Sequence, residues 1–379
     1  MKSQCMQLGN SYHRYNMHGY RESWHGSCIE LRRNKIHQKG ENMKKLLSVL
    51  LIGCLVAASI FAAGSKEAQG TSGEKKISDL KIVLILPGPI NDQSWNATNY
   101  AGLVACNEQL GTRMEYIENV QASDYESTFR NYSERGYDLI MAAGTQFDDA
   151  ANKVAVEYPD TTFCVVNGFR ADYPNVSPIF PKEYEASYIA ALIAGEVSEN
   201  GQFATIGGFP NEAMEKLLDV YEAVAVAIAA DRGIADASAT RSYANSWDDI
   251  ALGKQMAETM IDNGADTLFV YANQVGLGAI QATKEKGQKF VGFSSNQNDI
   301  APGTVVASVI FDFQSFYTWA VEKFYEGTLT GGQVHEAGIA EGIFKPVYPA
   351  GFSEDIKGRV ETGIAKALDG EVDFQSMFK

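Results

Sequence analysis

The sequence predicts an α/β fold of two doubly wound parallel-sheet lobes joined by a hinge, and three observations carry that expectation. The strand-like segments are short, continuous apolar runs, as strands covered on both faces require, whereas half-exposed strands alternate apolar with polar residues. They alternate regularly with helical stretches, which is the pattern of βαβ units with right-handed crossovers. Roughly 300 residues follow the N-terminal leader, enough for two units of ordinary domain size.

The first unit sets the pattern. In the stretch KIVLILPGPINDQSWNATNYAG, from Lys81 to Gly102, the run Ile82 to Leu86 reads as a buried strand that Pro87, Gly88 and Pro89 stop. Asp92, Trp95 and Asn96 then lie between the strand's carboxyl end and a helix carrying Tyr100, Leu103 and Val104. Ligands of open α/β sheets bind outside the carboxyl ends of the strands, which puts Trp95 within reach of one. The plainer alternative is that Trp95 packs on its own lobe and Asp92 caps the helix. Further strands are expected at Asp138 to Ala143, Thr162 to Asn167, Gln202 to Ile206, Asp266 to Tyr271, Lys289 to Phe293 and Val305 to Phe311. Helices are expected at Ala101 to Leu110, Asp124 to Arg135, Asp148 to Glu157, Ala186 to Val197, Ala213 to Ala230, Ile250 to Asn263 and Gly276 to Lys286. Lobe 1 is expected over residues 79–175 plus about 297–330, and lobe 2 over 176–296 plus about 331–379.

The N-terminal part reads differently. Residues 1–42 have no apolar periodicity and hold four of the five histidines, which marks them as a translated upstream extension. The irregular spacing of those histidines, with Cys5 and Cys28, does not suit a zinc site. From Met43, two lysines, an apolar run and small residues form a signal peptide over residues 43–63. Two processing routes fit: Leu51, Ile52, Gly53 and Cys54 resemble a lipobox that would anchor Cys54 to lipid, while cleavage after Ala62 or Ala63 would release a soluble periplasmic protein. Residues 64–78, rich in Gly, Ser, Lys and Glu, read as a flexible tether.

Residues 64–379 carry 23 Lys and Arg against 44 Asp and Glu, a formal charge of −21. That balance argues against nucleic acid, whose phosphates need a basic surface, and against an anionic ligand. Cys106 and Cys164 remain after processing, and their helix and strand settings favour two buried thiols over a disulfide.

The strand-to-helix loops share one chemistry. Gly144, Thr145, Gln146 and Phe147 follow one strand, and Gly207, Gly208 and Phe209 follow another. Trp247 with Asp248, Asn273 with Gln274, Asn296 with Gln297, and Phe311 with Asp312 occupy the later ones. Aromatic faces beside amides and carboxylates suit a planar, uncharged heterocycle, each stacked ring contributing about 1–3 kcal/mol by analogy with single-strand nucleic-acid sites. For each aromatic, a place in the hinge or lobe core is the plainer alternative.

Catalytic constellations are missing from the sequence. His335 is the single histidine after the leader, in a Gly-rich stretch, and reads as a solvated loop residue. There is no G-x-S-x-G elbow, no phosphate-binding G-x-x-x-x-G-K-[ST] loop and no metal-ligand spacing. No enzyme activity, cofactor or metal is expected. Asp248 and Asp249 read as the acidic N-terminus of a helix.

Five segments then carry a resemblance: DQSWNATNYAG from Asp92, GYDLIMAAGTQFDDAANKVAVEYPDTTF from Gly136, YEASYIAALIAGEVSENGQFATIGGF from Tyr184, YANSWDDIALGKQMAETMIDNGADTLF from Tyr243 and GLGAIQATKEKG from Gly276. In that order, from about Asp79 to Gly332, they resemble the basic membrane protein family of PnrA-like substrate-binding lipoproteins of ABC importers. The resemblance implies the type I periplasmic binding protein fold, a purine nucleoside or purine base as ligand, and an inner-membrane permease as partner. Nucleoside binders of the family show an Asp and a Lys where this sequence has Ser294 and Phe311, and a stacking aromatic where it has Leu217. Without those charged groups the ribose loses its strongest hydrogen bonds, so the purine-base branch is nearer.

The expectation is therefore a monomeric, extracytoplasmic receptor that encloses a purine base, or a related flat heterocycle, by hinge closure. Its ligand-binding residues would be Asp92, Trp95, Asn96, Gln146, Phe147, Phe209, Trp247, Asn273, Asn296 and Phe311. A nucleoside receptor, a nucleoside-acting enzyme and a membrane-coupled ligand sensor are the alternatives.

Overall fold

The computed structural model describes residues 75–92 and 95–379. The expected extension, the signal peptide with Cys54 and all but the last few residues of the tether lie outside the described residues, as do Gln93 and Ser94. The chain runs through β1 (Ile82–Ile85), α1 (Trp95–Gln109), β2 (Glu115–Ile117), α2 (Tyr125–Glu134), β3 (Leu139–Ala143), α3 (Asp148–Ala155), β4 (Thr162–Val166), β5 (Ile179–Pro181) and α4 (Glu183–Val197). It continues through β6 (Gln202–Gly207), α5 (Glu212–Asp231), β7 (Ser238–Tyr243), α6 (Ile250–Asp262), β8 (Thr267–Tyr271), α7 (Asn273–Glu285), β9 (Lys289–Ser294) and β10 (Val305–Phe311). Then come α8 (Phe313–Tyr325), β11 (His335–Ala337), β12 (Phe344–Val347) and α9 (Glu354–Leu368).

These strands form two six-stranded sheets. The first has the order β11-β5-β4-β3-β1-β2 and is parallel throughout. The second has the order β12-β10-β9-β8-β6-β7, parallel except for β12 against β10. Every residue of β1 and β3 is buried, because each sheet is covered on both faces. Both sheets wind alike: the chain starts near the middle, steps outward by one strand, then returns and builds toward the other edge. The winding reverses between β1 and β3 in one lobe and between β6 and β8 in the other, and crevices open at such reversals.

The chain passes between the lobes at residues 181–183, 311–313 and 337–344. Backbone bonds tie these crossings together: Lys182 N donates to Ala337 O at 2.7 Å, and Asp312 N to Ile343 O at 2.7 Å. The Lys345 ammonium adds an ion pair to Asp312 at 2.7 Å. An apolar core continuous across both lobes joins α1, α4, α5 and α8 to the sheets. Gly102 lets α8 approach α1, since a Cβ there would strike the Tyr317 ring, whose hydroxyl donates to Asn99 Oδ1 at 2.7 Å.

The division of the chain between the lobes differs in detail from the expectation. β10 was expected in lobe 1 but pairs with β9 and β12 in the second sheet, while β5 and β11, expected in lobe 2, pair with each other in the first. Apolar runs locate strands, but near the crossings they carry no information about which sheet each strand joins. Cys106 and Cys164 are free, buried thiols; burial pushes Cys106 up to about 12 and Cys164 further above the ordinary thiol value.

Candidate functional site

The carboxyl ends of both sheets converge on the crossings. After β1, Trp95 opens α1; its indole Nε1 donates to Ala143 O, the last residue of β3, at 3.1 Å. The indole therefore spans the switch point of lobe 1. Its ring meets Phe313 edge-on with centroids 5.7 Å apart, and Phe313 lies 4.0 Å from Phe311 on the crossing out of β10. Phe344, where β12 begins, closes this aromatic group at 5.0 Å from Phe311.

The switch point of lobe 2 carries a second aromatic pair. Phe209, after β6, lies 5.4 Å from Trp247, after β7. The loop is held by Gly208 N donating to Tyr271 O at 3.0 Å and by Gln274 N donating to Trp247 O at 2.9 Å. A Cβ on Gly208 would run into the indole, so a glycine is needed beneath the ring. Phe209 is 37% exposed, high for a large aromatic.

Backbone conformation marks the same rim. Among the described residues, the non-glycine positions with left-handed φ are Asn119, Asn167, Asn245, Asn273 and Ser294. Each ends a parallel strand or follows one within two residues. Asn adopts that region most readily among non-glycine residues, and unusual backbone of this kind gathers at ligand clamps.

Several of the expected ligand contacts make structural contacts within lobe 1. Phe147 is fully buried, packed on Tyr125 at 4.1 Å and Phe129 at 6.1 Å in the outer core of lobe 1. The left-handed Gly144 and a single 3₁₀ turn rotate its ring inward, which corrects the expectation that it stacks on a ligand. Asp92 accepts from Asn96 N at 3.0 Å, Asn96 Nδ2 at 2.7 Å and Ala97 N at 2.9 Å, so it caps α1. Asn96 also accepts from Gly88 N at 3.1 Å, and its side chain is buried. With those bonds in place, Asp92 and Asn96 hold the loop rather than offer free edges. Gln146, Asn273 and Asn296 are exposed. Asp249 caps α6 through Leu252 N at 2.9 Å, the role expected of that acidic pair.

Sequence reasoning passed over Glu183, Tyr271 and Phe313. Glu183 opens α4 on the first crossing, and the Tyr271 hydroxyl at the end of β8 donates a short hydrogen bond to its Oε1. The Tyr271 ring packs on Phe293 at the end of β9, with centroids 4.6 Å apart. Burial pushes the Glu183 carboxyl up to about 7 although the Tyr271 bond pulls the other way, and it drives the Tyr271 hydroxyl well above its ordinary value. The lysines on the crossings are paired, Lys182 with Glu185 at 2.6 Å and Lys345 with Asp312.

Two aromatic groups and several exposed amides thus stand at the carboxyl ends of the two sheets, and the hydrogen-bonded Glu183 and Tyr271 join the first crossing to β8. Residues 79–360 match the family of ABC transporter substrate-binding proteins described as PnrA-like. The chain belongs to that family. It is 24% identical over 351 residues to the ABC transporter nucleoside-binding protein BmpA of Lactococcus lactis, spanning 87% of this chain and 98% of that one. It is 26% identical over 297 residues to a purine-binding protein of Brucella abortus, covering 77% and 82% of the two chains. An ABC transporter solute-binding protein of Aeropyrum pernix shares the fold, with a TM-score of 0.60, 21% identity, and 78% and 92% coverage.

A PnrA-like protein binds its substrate and hands it on rather than transforming it. Among the described residues no group of His, Cys, Asp and Glu could hold a metal ion, and no helix is long and apolar enough to cross a membrane. The type I binding-protein architecture expected from the sequence is the one observed.

Proposed function

We propose that this protein is the extracytoplasmic receptor of an ABC importer and that it encloses a purine base, or a related flat uncharged heterocycle, between its lobes. The pairing of Trp95 at one switch point with Phe209 and Trp247 at the other carries this reading. Phe311 continues the aromatic surface along the hinge, while Gln146, Asn273 and Asn296 stand on the rim, where exposed amides can meet ring edges. Capture is then a population shift: contacts to both lobes exist only when the gap closes, so the ligand favours the closed form that docks on an inner-membrane permease. No cofactor and no nucleic acid take part, and the receptor acts as a monomer. Export follows the signal peptide, with or without a lipid on Cys54.

A nucleoside is the second reading, supported by the nucleoside-binding relative. Against it stand Ser294 and Phe311, which offer a ribose no charge-assisted hydrogen bond. Mass spectrometry of the small molecule that co-purifies, followed by thermal shifts with adenine, guanine, hypoxanthine and their nucleosides, separates the two. Bases are expected to raise the melting temperature more than their nucleosides. A stronger shift with nucleosides would replace the first reading with the second, and no shift with either would remove both.

A further inference from the structure

We propose that Glu183 reads the ligand directly: Tyr271 fixes one oxygen of its carboxylate, and the other accepts a ring N–H of the enclosed heterocycle. This rests on the receptor reading above and names the group that would select for a particular ring edge. Glu183 sits where the chain leaves β5 for α4, and its partner Tyr271 ends β8 beside the reversal between β6 and β8. The Tyr271 hydroxyl donates to Oε1, and Phe293 supports the Tyr271 ring from behind. Glu185, two residues on, is committed elsewhere: it accepts from Ile339 N at 2.7 Å and pairs with Lys182. Among the described residues no cation pairs with Glu183. Its half-buried carboxylate keeps one hydroxyl partner, and its other oxygen can still accept from a ligand donor.

The ionisable groups on the elements around it are Tyr271 from β8, Lys182 on its own crossing, Glu185 in α4, Asp312 on the second crossing, Glu341 on the third, Glu336 in β11 and Lys345 in β12. Asp92 stands at the start of α1. Of these, only Tyr271 enters the balance that sets the Glu183 carboxyl at about 7. Near neutrality the empty site is therefore a mixture of protonated and ionised forms, and only the ionised form can accept the ring N–H while still accepting from Tyr271. Binding below about pH 7 must then release a proton, and affinity must rise with pH through that region.

The test is calorimetric titration of adenine, guanine and hypoxanthine from about pH 6 to pH 8, in buffers of different ionisation enthalpy. For whichever base binds the wild-type chain, affinity is expected to be about tenfold weaker at pH 6 than at pH 8, with proton release on the acid side. Glu183→Gln is expected to weaken binding about tenfold or more at pH 8 and to abolish both the pH dependence and the proton release. Tyr271→Phe removes the bond that lowers the carboxyl's affinity for its proton, so it should move the midpoint to higher pH. If the wild-type chain binds none of the bases, the purine-base reading fails and this inference fails with it. A base that binds with a flat pH profile, or that binds Glu183→Gln unchanged, overturns the role of Glu183 alone. Should Glu183→Gln fold poorly, the wild-type proton release and the Tyr271→Phe midpoint decide the matter.

Discussion

Phe147 and Phe209 begin from nearly the same sequence cue and finish in opposite places. Each follows a buried strand and a glycine at the carboxyl edge of a parallel sheet, one after β3 and the other after β6. After β3, Gly144 takes φ 126° and a 3₁₀ turn swings Phe147 into the core. After β6, Gly208 lies flat beneath Trp247 and the chain runs on to the Asn211 cap of α5, which leaves Phe209 at the surface. The aromatic in a strand-to-helix loop is therefore not itself a sign of a ligand. What decides its role is the backbone path of the few residues before it.

The largest effect that can sharpen this contrast is Phe147→Ala. Removing a fully buried ring is expected to cost about 3–5 kcal/mol of stability, read as a lower urea midpoint with unchanged m-value. Ligand affinity of the folded fraction should stay as it was, and a large affinity loss without a stability loss would return Phe147 to the site. Trp95→Ala comes next and should touch both quantities. The indole is structural through its bond to Ala143 and its contact with Phe313, and in the proposed function it is also the ring that lobe 1 offers to the ligand. Loss of binding by about a hundredfold or more is expected beside a stability loss of about 2–3 kcal/mol, and calorimetry with a base at saturating pH measures the first.

The same contrast explains how much could be read in advance. The seven expected strands are all present, because a strand covered on both faces must be apolar throughout. β2, with the sequence EYI, and β7, with SATRSY, escaped notice because edge strands need no apolar run, and Arg241 in β7 is even paired with Glu215, Asp219 and Glu222. The aromatic positions at the switch points were legible from strand ends alone. The internal bonding of Asp92 and Asn96 was foreseen only as the plainer alternative, since capping depends on loop geometry. Glu183 was hidden for a different reason: an acidic residue in the first turn of a helix is ordinary, and its partner Tyr271 is 88 positions away.

Phe209→Ala is the milder counterpart of the Phe147 substitution. Its ring is already partly in water, so stability should change by no more than about 0.5 kcal/mol. If the ring covers a ligand face, affinity should fall by about 1–3 kcal/mol, roughly ten- to a hundredfold, in the same calorimetric assay. Unchanged affinity would leave Trp247 as the only ring of that lobe in contact with the ligand. The two phenylalanines would then share a purely structural role.

Proton linkage gives the smallest and most selective comparison, between Asp148 behind Phe147 and Glu183 at the gap. Burial raises the Asp148 carboxyl from 3.8 to about 6, against the Phe169 N–H bond and the Arg170 charge, which pull it down. The folded chain thus holds this proton more tightly than the unfolded chain. Its contribution to stability is complete below about pH 4 and is lost as pH rises through about 6. Glu183 adds a loss of the same sign, ending near pH 7. Asp148→Asn should flatten the stability profile between about pH 4 and pH 6 without altering the pH dependence of binding, because Asp148 faces the outer core. Glu183→Gln should flatten both, because the form of Glu183 that costs the empty protein stability is the form that accepts the ligand. Rising pH therefore weakens the unliganded fold while it strengthens binding, and stability and affinity curves that run parallel would contradict the assignment of Glu183 to the gap.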